Sequence, residues 1–425
     1  MKSIIGMLLG VSVLYTAPTF ITGDAQAEEQ RESVRVPAMR NRVYTQLARA
    51  QQIADDGDRP AGLAVLDEVK TRIDSMNSYE KAMLWNFYGF MYYADENTAK
   101  AIESFNKVIA EQAIPESLRM STLYSLAQLS MQQQNYTQTL SYLTQWKNVN
   151  TKALTSQQHV LFAQVYYQAK QYEKSLVAIE NAVTLAKHNG EIPKENWLVL
   201  QRANYYELKQ PEKVTEVMEL MVKLYSKPEY WLQLAGMYGE IGREDKQMGA
   251  MESAWQAGFI SKAQDIITLA QLYRYNNVPY KAAVLLEKEI AQGNVIANEK
   301  HLEMLAQSLM AAKEDQKAIP VLVKAAEIAE SGKFDAQLAQ AYLNTEKWQL
   351  AIESAEKAIE RGGVTRLGDM HLIVGMSHFN LKNFTESMSA FEEAEQIKSS
   401  AKSASQWLKY VAREKLHHDQ LAMLN

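Results

Sequence analysis

The chain of 425 residues has no cysteine. Neither a disulfide framework nor a lipid-modified N-terminal cysteine is open to it, so packing alone must hold its fold. It also has no basic stripe, because 45 Lys and Arg against 50 Asp and Glu leave a formal net charge of -5, with the two signs interspersed. Without a run of cations to neutralise phosphates, nucleic acid is not expected as a partner. Long apolar runs are missing too, apart from Ile4 to about Ile21, broken by Pro18. That run follows Met1 and Lys2 and precedes Ala25, Gln26, Ala27 and the polar stretch Glu28 to Glu32. A basic start, an apolar middle and a small-x-small site describe a secretory signal peptide cleaved after Ala27, with a retained anchor as the alternative.

Catalytic constellations are scarce as well. Of seven histidines, His371 with His378, spaced to share a helix face, and His417 with His418 and Asp419 are the groupings that imitate metal ligands. The first pair sits in an apolar helical register and the second near the terminus, so packing and adventitious binding explain them better than a metal site. Gly236, Gly239 and Gly242 imitate a phosphate loop but fall within a predicted helix and its turn, where close packing accounts for them. No enzyme, no cofactor and no small-molecule substrate are expected.

What the chain has instead is a returning tripeptide. Arg49-Ala50-Gln51, Leu126-Ala127-Gln128, Phe162-Ala163-Gln164, Leu269-Ala270-Gln271, Leu305-Ala306-Gln307 and Leu338-Ala339-Gln340 share one register. Gly89, Arg202, Ala235 and Gly375 fill the central slot of diverged copies, giving ten slots about 33 to 39 residues apart. Such a period marks a helical solenoid.

The residues around the slot identify the repeat. Trp85, Tyr88, Gly89 and Tyr92 precede Ala101, Phe105 and Val108, and Leu338, Ala339 and Tyr342 precede Trp348, Ala351, Ala355 and Ala358. This pattern resembles the tetratricopeptide repeat (TPR), in which small residues let paired helices approach closely and aromatics fill the gaps between pairs. The resemblance implies an all-α fold, a right-handed TPR superhelix of about ten helix-turn-helix repeats. The expected division is a signal peptide over 1–27, a linker over 28–37, the solenoid over 38–395 and a capping helix and tail over 396–425. Repeats one and five are the weakest, with Gln46, Arg202 and Pro211 at unusual places, and Pro228 marks a candidate hinge in an otherwise continuous array. Longer connections are expected at 71–79 and 187–194. Trp407, Leu408 and Val411 mark one face of a final helix from Ala401 to Leu416 that would cover the last apolar surface.

In a tetratricopeptide array the first helix of each pair lines a groove, so positions beside the slot and one turn away face inward. They are Asn86, Phe90 and Tyr93; Tyr124, Gln128 and Met131; Gln164 and Tyr167; Tyr206; and Gln271, Gln307 and Gln340. A carboxamide both donates and accepts, so the repeated glutamine forms a ladder suited to an extended peptide backbone, with tyrosines offering flat area for prolines or aromatics. The alternative is that each glutamine bonds to a neighbouring helix.

A closer resemblance rests on Met39-Arg40-Asn41-Arg42-Val43-Tyr44, with Leu47 and Ala48, and on Leu84-Trp85-Asn86-Phe87-Tyr88-Gly89. These runs resemble exported TPR proteins that accompany TonB, ExbB and ExbD energy-transduction systems of marine gammaproteobacteria. The resemblance implies a periplasmic adaptor in iron-complex uptake, with TonB or ExbB and ExbD as protein partners and membrane contact only through them. A structural scaffold for outer-membrane or cell-wall assembly is the alternative.

Overall fold

The computed structural model describes residues 35–424, with side chains over 35–420; the signal-peptide segment lies outside the described residues. The described residues hold twenty-one α-helices and no strand, and the chain divides into two compact units between Leu154 and Thr155. In the N-terminal unit three hairpins pair α1 (Asn41–Asp55) with α2 (Arg59–Lys70), α3 (Ser78–Ala94) with α4 (Thr98–Ala110), and α5 (Glu116–Gln132) with α6 (Tyr136–Val149). The C-terminal unit begins with α7 (Ser156–Gln168) on α8 (Tyr172–His188), α9 (Glu195–Glu207) on α10 (Pro211–Tyr225), and α11 (Pro228–Glu240) on α12 (Glu244–Gln256). It continues with α13 (Ala263–Tyr275) on α14 (Pro279–Ala291), α15 (Glu299–Ala311) on α16 (Asp315–Ile328), α17 (Lys333–Asn344) on α18 (Trp348–Arg361), and α19 (Leu367–Asn380) on α20 (Phe384–Glu395). A single helix, α21 (Ala401–Leu424), packs on α20. Each unit is thus an α-solenoid segment, and the hairpins fall on the ten slots read from the sequence.

The slot residue works with one sixteen positions later. A Cβ on Gly89 would lie 2.5 Å from the Phe105 ring, and one on Gly375 would lie 2.7 Å from the Phe391 ring. Where the slot is alanine, as at Ala127, Ala163, Ala270 and Ala306, the partner position holds Leu143, Ile179, Leu286 and Leu322, each fully buried. Gly goes with Phe and Ala with a smaller aliphatic side chain because the interior conserves volume at close-packed density.

One turn geometry joins both helices of every hairpin. Gly57, Glu96, Gln134, Lys170, Lys209, Gly242, Asn277, Lys313, Glu346 and Lys382 all have positive φ, and each stands seven residues after its slot. The next backbone N–H donates to the carbonyl five residues back, from Asp58 to Ile53 through Gln171 to Tyr166 and on to Asn383 to His378. These are helix-terminating motifs that close on a left-handed residue. Asp58, Asn97 and Asn135 then cap the second helices of the N-terminal unit through side-chain bonds to Ala61, Lys100 and Gln138 backbone N–H groups.

The doubtful positions resolve physically. Pro211 and Pro228 occupy first positions of α10 and α11, where a missing N–H costs nothing. Pro228 therefore starts a repeat, and α10 packs directly on α11, so the unit boundary is at 154/155 and not there. Arg202 fits its slot by reaching out of it, donating to Gln233 Oε1 at 2.5 Å and to Met218 Sδ at 3.2 Å, and burial lowers its pKa. The 71–79 connection contains a short 3₁₀ turn, Ile73–Ser75.

Both ends are tied down. Arg40 donates through Nε and Nη2 to the fully buried Glu80 carboxylate at 2.9 and 2.7 Å, and Asn77 holds the Ala38 carbonyl at 2.9 Å. The Arg40 hydrogen bond holds the Glu80 pKa down against the opposing effect of burial. At the other end Trp407 stacks on Phe391 with centroids 5.4 Å apart and planes 8° off parallel, while Val411 is fully buried against the same cluster.

Candidate functional site

In the N-terminal unit the first helices present an aromatic face. Phe90 and Tyr93 on α3 are 46% and 44% exposed, and Tyr124 on α5 is 36% exposed. Uncovered rings on neighbouring first helices make this a candidate contact surface. Phe90 stands edge-on against Phe105, centroids 5.2 Å apart at 80°, so the ring that fills the Gly89 slot also props its exposed neighbour. Tyr124 leans on Trp146 with ring centroids 6.2 Å apart, and partial burial raises its hydroxyl pKa. Gln128 is exposed and has no hydrogen-bond partner among the described residues, while Asn86 and Met131 are half-buried beside it.

In the C-terminal unit α7 supplies Gln164 and Tyr167 and α9 supplies Tyr206. The Tyr167 ring meets Tyr172 at 5.4 Å, and burial, then the Glu207 charge, raises the Tyr167 pKa. Tyr206 is largely exposed and Gln164 keeps a free amide.

Farther along the same unit two of the three glutamines are engaged. Gln307 accepts from Arg274 Nη2 at 3.0 Å and donates to Glu303 Oε1 at 2.9 Å, and Glu303 also holds Lys333 Nζ at 2.6 Å. Gln340 donates to Asn344 Oδ1 at 2.8 Å, as Gln51 of the N-terminal unit donates to Asp55 Oδ1 at 2.7 Å. Gln271 is exposed without a partner among the described residues. Of the six ladder residues, then, Gln128, Gln164 and Gln271 have a wholly uncommitted carboxamide, Gln51 and Gln340 have one N–H engaged, and Gln307 is engaged through both oxygen and nitrogen. Each engaged side chain has a carboxylate or amide one helical turn away, Glu303, Asn344 or Asp55, but Gln128 and Gln164 also have an amide at that spacing, Gln132 and Gln168, so the spacing does not separate the two sets.

Sequence reasoning left two exposed rings of the first helices out of the site. Tyr44 on α1 is 60% exposed and Tyr275 on α13 is 70% exposed, and both stand outside the register used to choose candidates. Among the described residues no group of three or more His, Asp or Glu is placed to hold a metal ion, and no helix is long and apolar enough to cross a membrane.

Residues 337–402 match the tetratricopeptide repeat family, from within α17 to the start of α21. No curated protein matches the chain. Among solved structures it is similar to YrrB, a TPR protein with an unusual peptide-binding site, at 15% identity over 46% of this chain and 99% of that one, TM-score 0.36. It is similar also to Naa15/Naa10 bound to HypK-THB, at 14% identity over 90% of this chain and 68% of that one, TM-score 0.38. The TPR2AB-domain:pHSP90 complex of yeast Sti1 aligns at 13% identity over 60% of this chain and 98% of that one, TM-score 0.26. Likeness at these scores carries no argument about function; the fold assignment rests on the repeated hairpins themselves.

Proposed function

We propose that this chain is a protein–protein interaction adaptor that holds an extended peptide against its first helices, and that it serves in the periplasm as an accessory of TonB-dependent energy transduction. The observation that carries the reading is the pairing of uncovered rings with an uncommitted amide in the N-terminal unit: Phe90, Tyr93 and Tyr124 with Gln128. An extended segment needs flat apolar area for its side chains and donor–acceptor groups for its backbone, and this face offers both. Gln164, Tyr167 and Tyr206 offer the same combination within the C-terminal unit. Export rests on the basic, apolar and small-residue order of the first 27 residues. The TonB connection rests on the family resemblance, and the proline-rich periplasmic segments of TonB proteins suit a face of rings and amides.

The test is photocrosslinking in the native cell envelope from a photoreactive residue at Tyr93 and, separately, at Tyr167. Adducts with TonB, ExbB or ExbD support the reading in full. Adducts with outer-membrane or cell-wall assembly proteins replace it with the scaffold. Capture only from a control position on the second helices, such as Val177, overturns the site.

A further inference from the structure

Nine of the ten slots hold glycine or alanine, and the fifth holds Arg202 on α9. Its guanidinium leaves the slot over the buried Met218 of α10, sixteen residues on, and Nη1 donates to Gln233 Oε1 on the next first helix, α11. Both partners are neutral. Among the described residues no carboxylate lies within ion-pair distance of Arg202, although burial withdraws the guanidinium from water far enough to lower its pKa. A cation taken out of water without an anion is costly, so the position calls for an explanation. The acids nearest along α9 are already engaged. Glu195, seven residues before, is held by Lys227 Nζ at 2.6 Å and by the Tyr230 hydroxyl, and Glu207, five residues after, faces Tyr172.

The uncommitted part of this guanidinium has a definite shape. Nε and Nη2 have no hydrogen bond among the described residues, yet neither is sealed from solvent. It is the same edge that Arg40 turns on Glu80, where Nε and Nη2 donate at 2.9 and 2.7 Å to the two carboxylate oxygens. Arg202 therefore keeps open the two-pronged edge that matches a carboxylate. Tyr206, 59% exposed, stands one helical turn further along α9. The amide nitrogen of Gln233 is likewise uncommitted among the described residues.

We propose that Arg202 receives an aspartate or glutamate side chain of the extended segment that lies against α7 and α9, so that the ligand of the C-terminal unit is an acidic peptide. The proposal rests on the adaptor reading, since the segment must already run along the first helices. A carboxylate gains two charge-assisted bonds there, in a site that has already given up much of its water. Lys227, just before α11, is committed to Glu195, so a single guanidinium faces the ligand. A monoanion matches that charge better than a phosphate does. The Tyr206 ring offers flat area to the residue beside the acid.

The experiment titrates the full mature chain with a labelled, end-blocked Ala-Pro-Pro-Glu-Pro-Pro-Ala peptide, its glutamine counterpart and sodium acetate. Fluorescence anisotropy reads affinity, and NMR follows the Arg202 Nε–H signal, assigned by its loss in Arg202→Ala. That variant places in the slot the residue that seven other repeats use, so it is expected to fold with Tm unchanged or raised. Wild type is expected to bind the glutamate peptide about tenfold more tightly than the glutamine peptide, and only the former to move the Nε–H signal. Arg202→Ala is expected to bind both peptides as weakly as wild type binds the glutamine peptide, and Arg202→Lys to keep part of the preference. Equal binding of the two peptides by wild type, or a preference that survives in Arg202→Ala, overturns the receptor and leaves the adaptor reading standing. Acetate binding as tightly as the glutamate peptide overturns the partner segment in favour of a free carboxylate. Binding of neither peptide overturns the adaptor reading, and this proposal with it.

Discussion

The first helices of the N-terminal unit and those of the α13 to α17 stretch share one backbone plan yet differ in how far their polar side chains are paired across helices. In the former, Phe90, Tyr93 and Tyr124 are uncovered and Gln128 is uncommitted. In the latter, Arg274, Gln307, Glu303 and Lys333 close on one another across three helices. A polar group that already has a partner must give it up to bind a ligand, whereas an uncovered ring gains from being covered. Binding capacity in a repeat protein therefore follows from which side chains are left unsatisfied, and not from the repeat itself.

The comparison can be broken most severely from beneath. Phe105→Ala removes the ring that fills the Gly89 slot and props Phe90, and is expected to cost about 3–5 kcal/mol and dissolve the aromatic face, read by urea denaturation and loss of peptide binding. The N-terminal anchor comes next. Glu80→Ala strips a buried carboxylate from Arg40 and the Asn77 cap, and is expected to cost about 1–3 kcal/mol. The same anchor gives the unit a pH signature. Because the folded pKa of Glu80 is lowered, its stabilisation is complete above the unfolded carboxylate value of about 4.3 and is lost as pH falls through the lower folded value. Urea midpoints of wild type should fall in that acidic window, and Glu80→Gln should flatten the fall.

Replacing Phe90, Tyr93 and Tyr124 together by Ala is expected to weaken a proline-rich peptide at least tenfold, about 1.4 kcal/mol, in fluorescence anisotropy with the helical circular dichroism unchanged. Gln307→Ala in the paired stretch should leave that affinity unaltered; an equal loss there would erase the contrast between the two faces. The smallest effect concerns the shared turn. Lys170→Gly relieves a left-handed lysine and is expected to raise stability by roughly 0.5–1 kcal/mol in thermal unfolding, the strain released being partly offset by glycine entropy.

Much of the fold was legible because the information is local and repeated. Ten slots, the aromatic three residues on and the apolar partner sixteen on can all be read from residue type and spacing. Left-handed turns at Glu96, Lys170 or Lys382 were not legible, since those residue types do not favour positive φ and only the closing of two packed helices imposes it. Arg202 was likewise opaque, because its escape route to Gln233 belongs to the next hairpin. The site was legible in part. The register named Phe90, Tyr93, Tyr124 and Gln128, but it could not tell a free glutamine from one held by Glu303 or Asn344.

By itself the sequence determined the helical period, the hairpin count and the volume rule that sets Gly against Phe, because these depend on side-chain size at fixed spacing along one chain. Tertiary structure decided which polar groups pair across helices, as Arg274 does with Gln307 and Arg202 with Gln233, because those pairings depend on distances between helices far apart in sequence. Gln128 and Gln307 occupy the same register. Arg274 from α13 closes on Gln307 together with Glu303 of its own helix, whereas no side chain closes on Gln128.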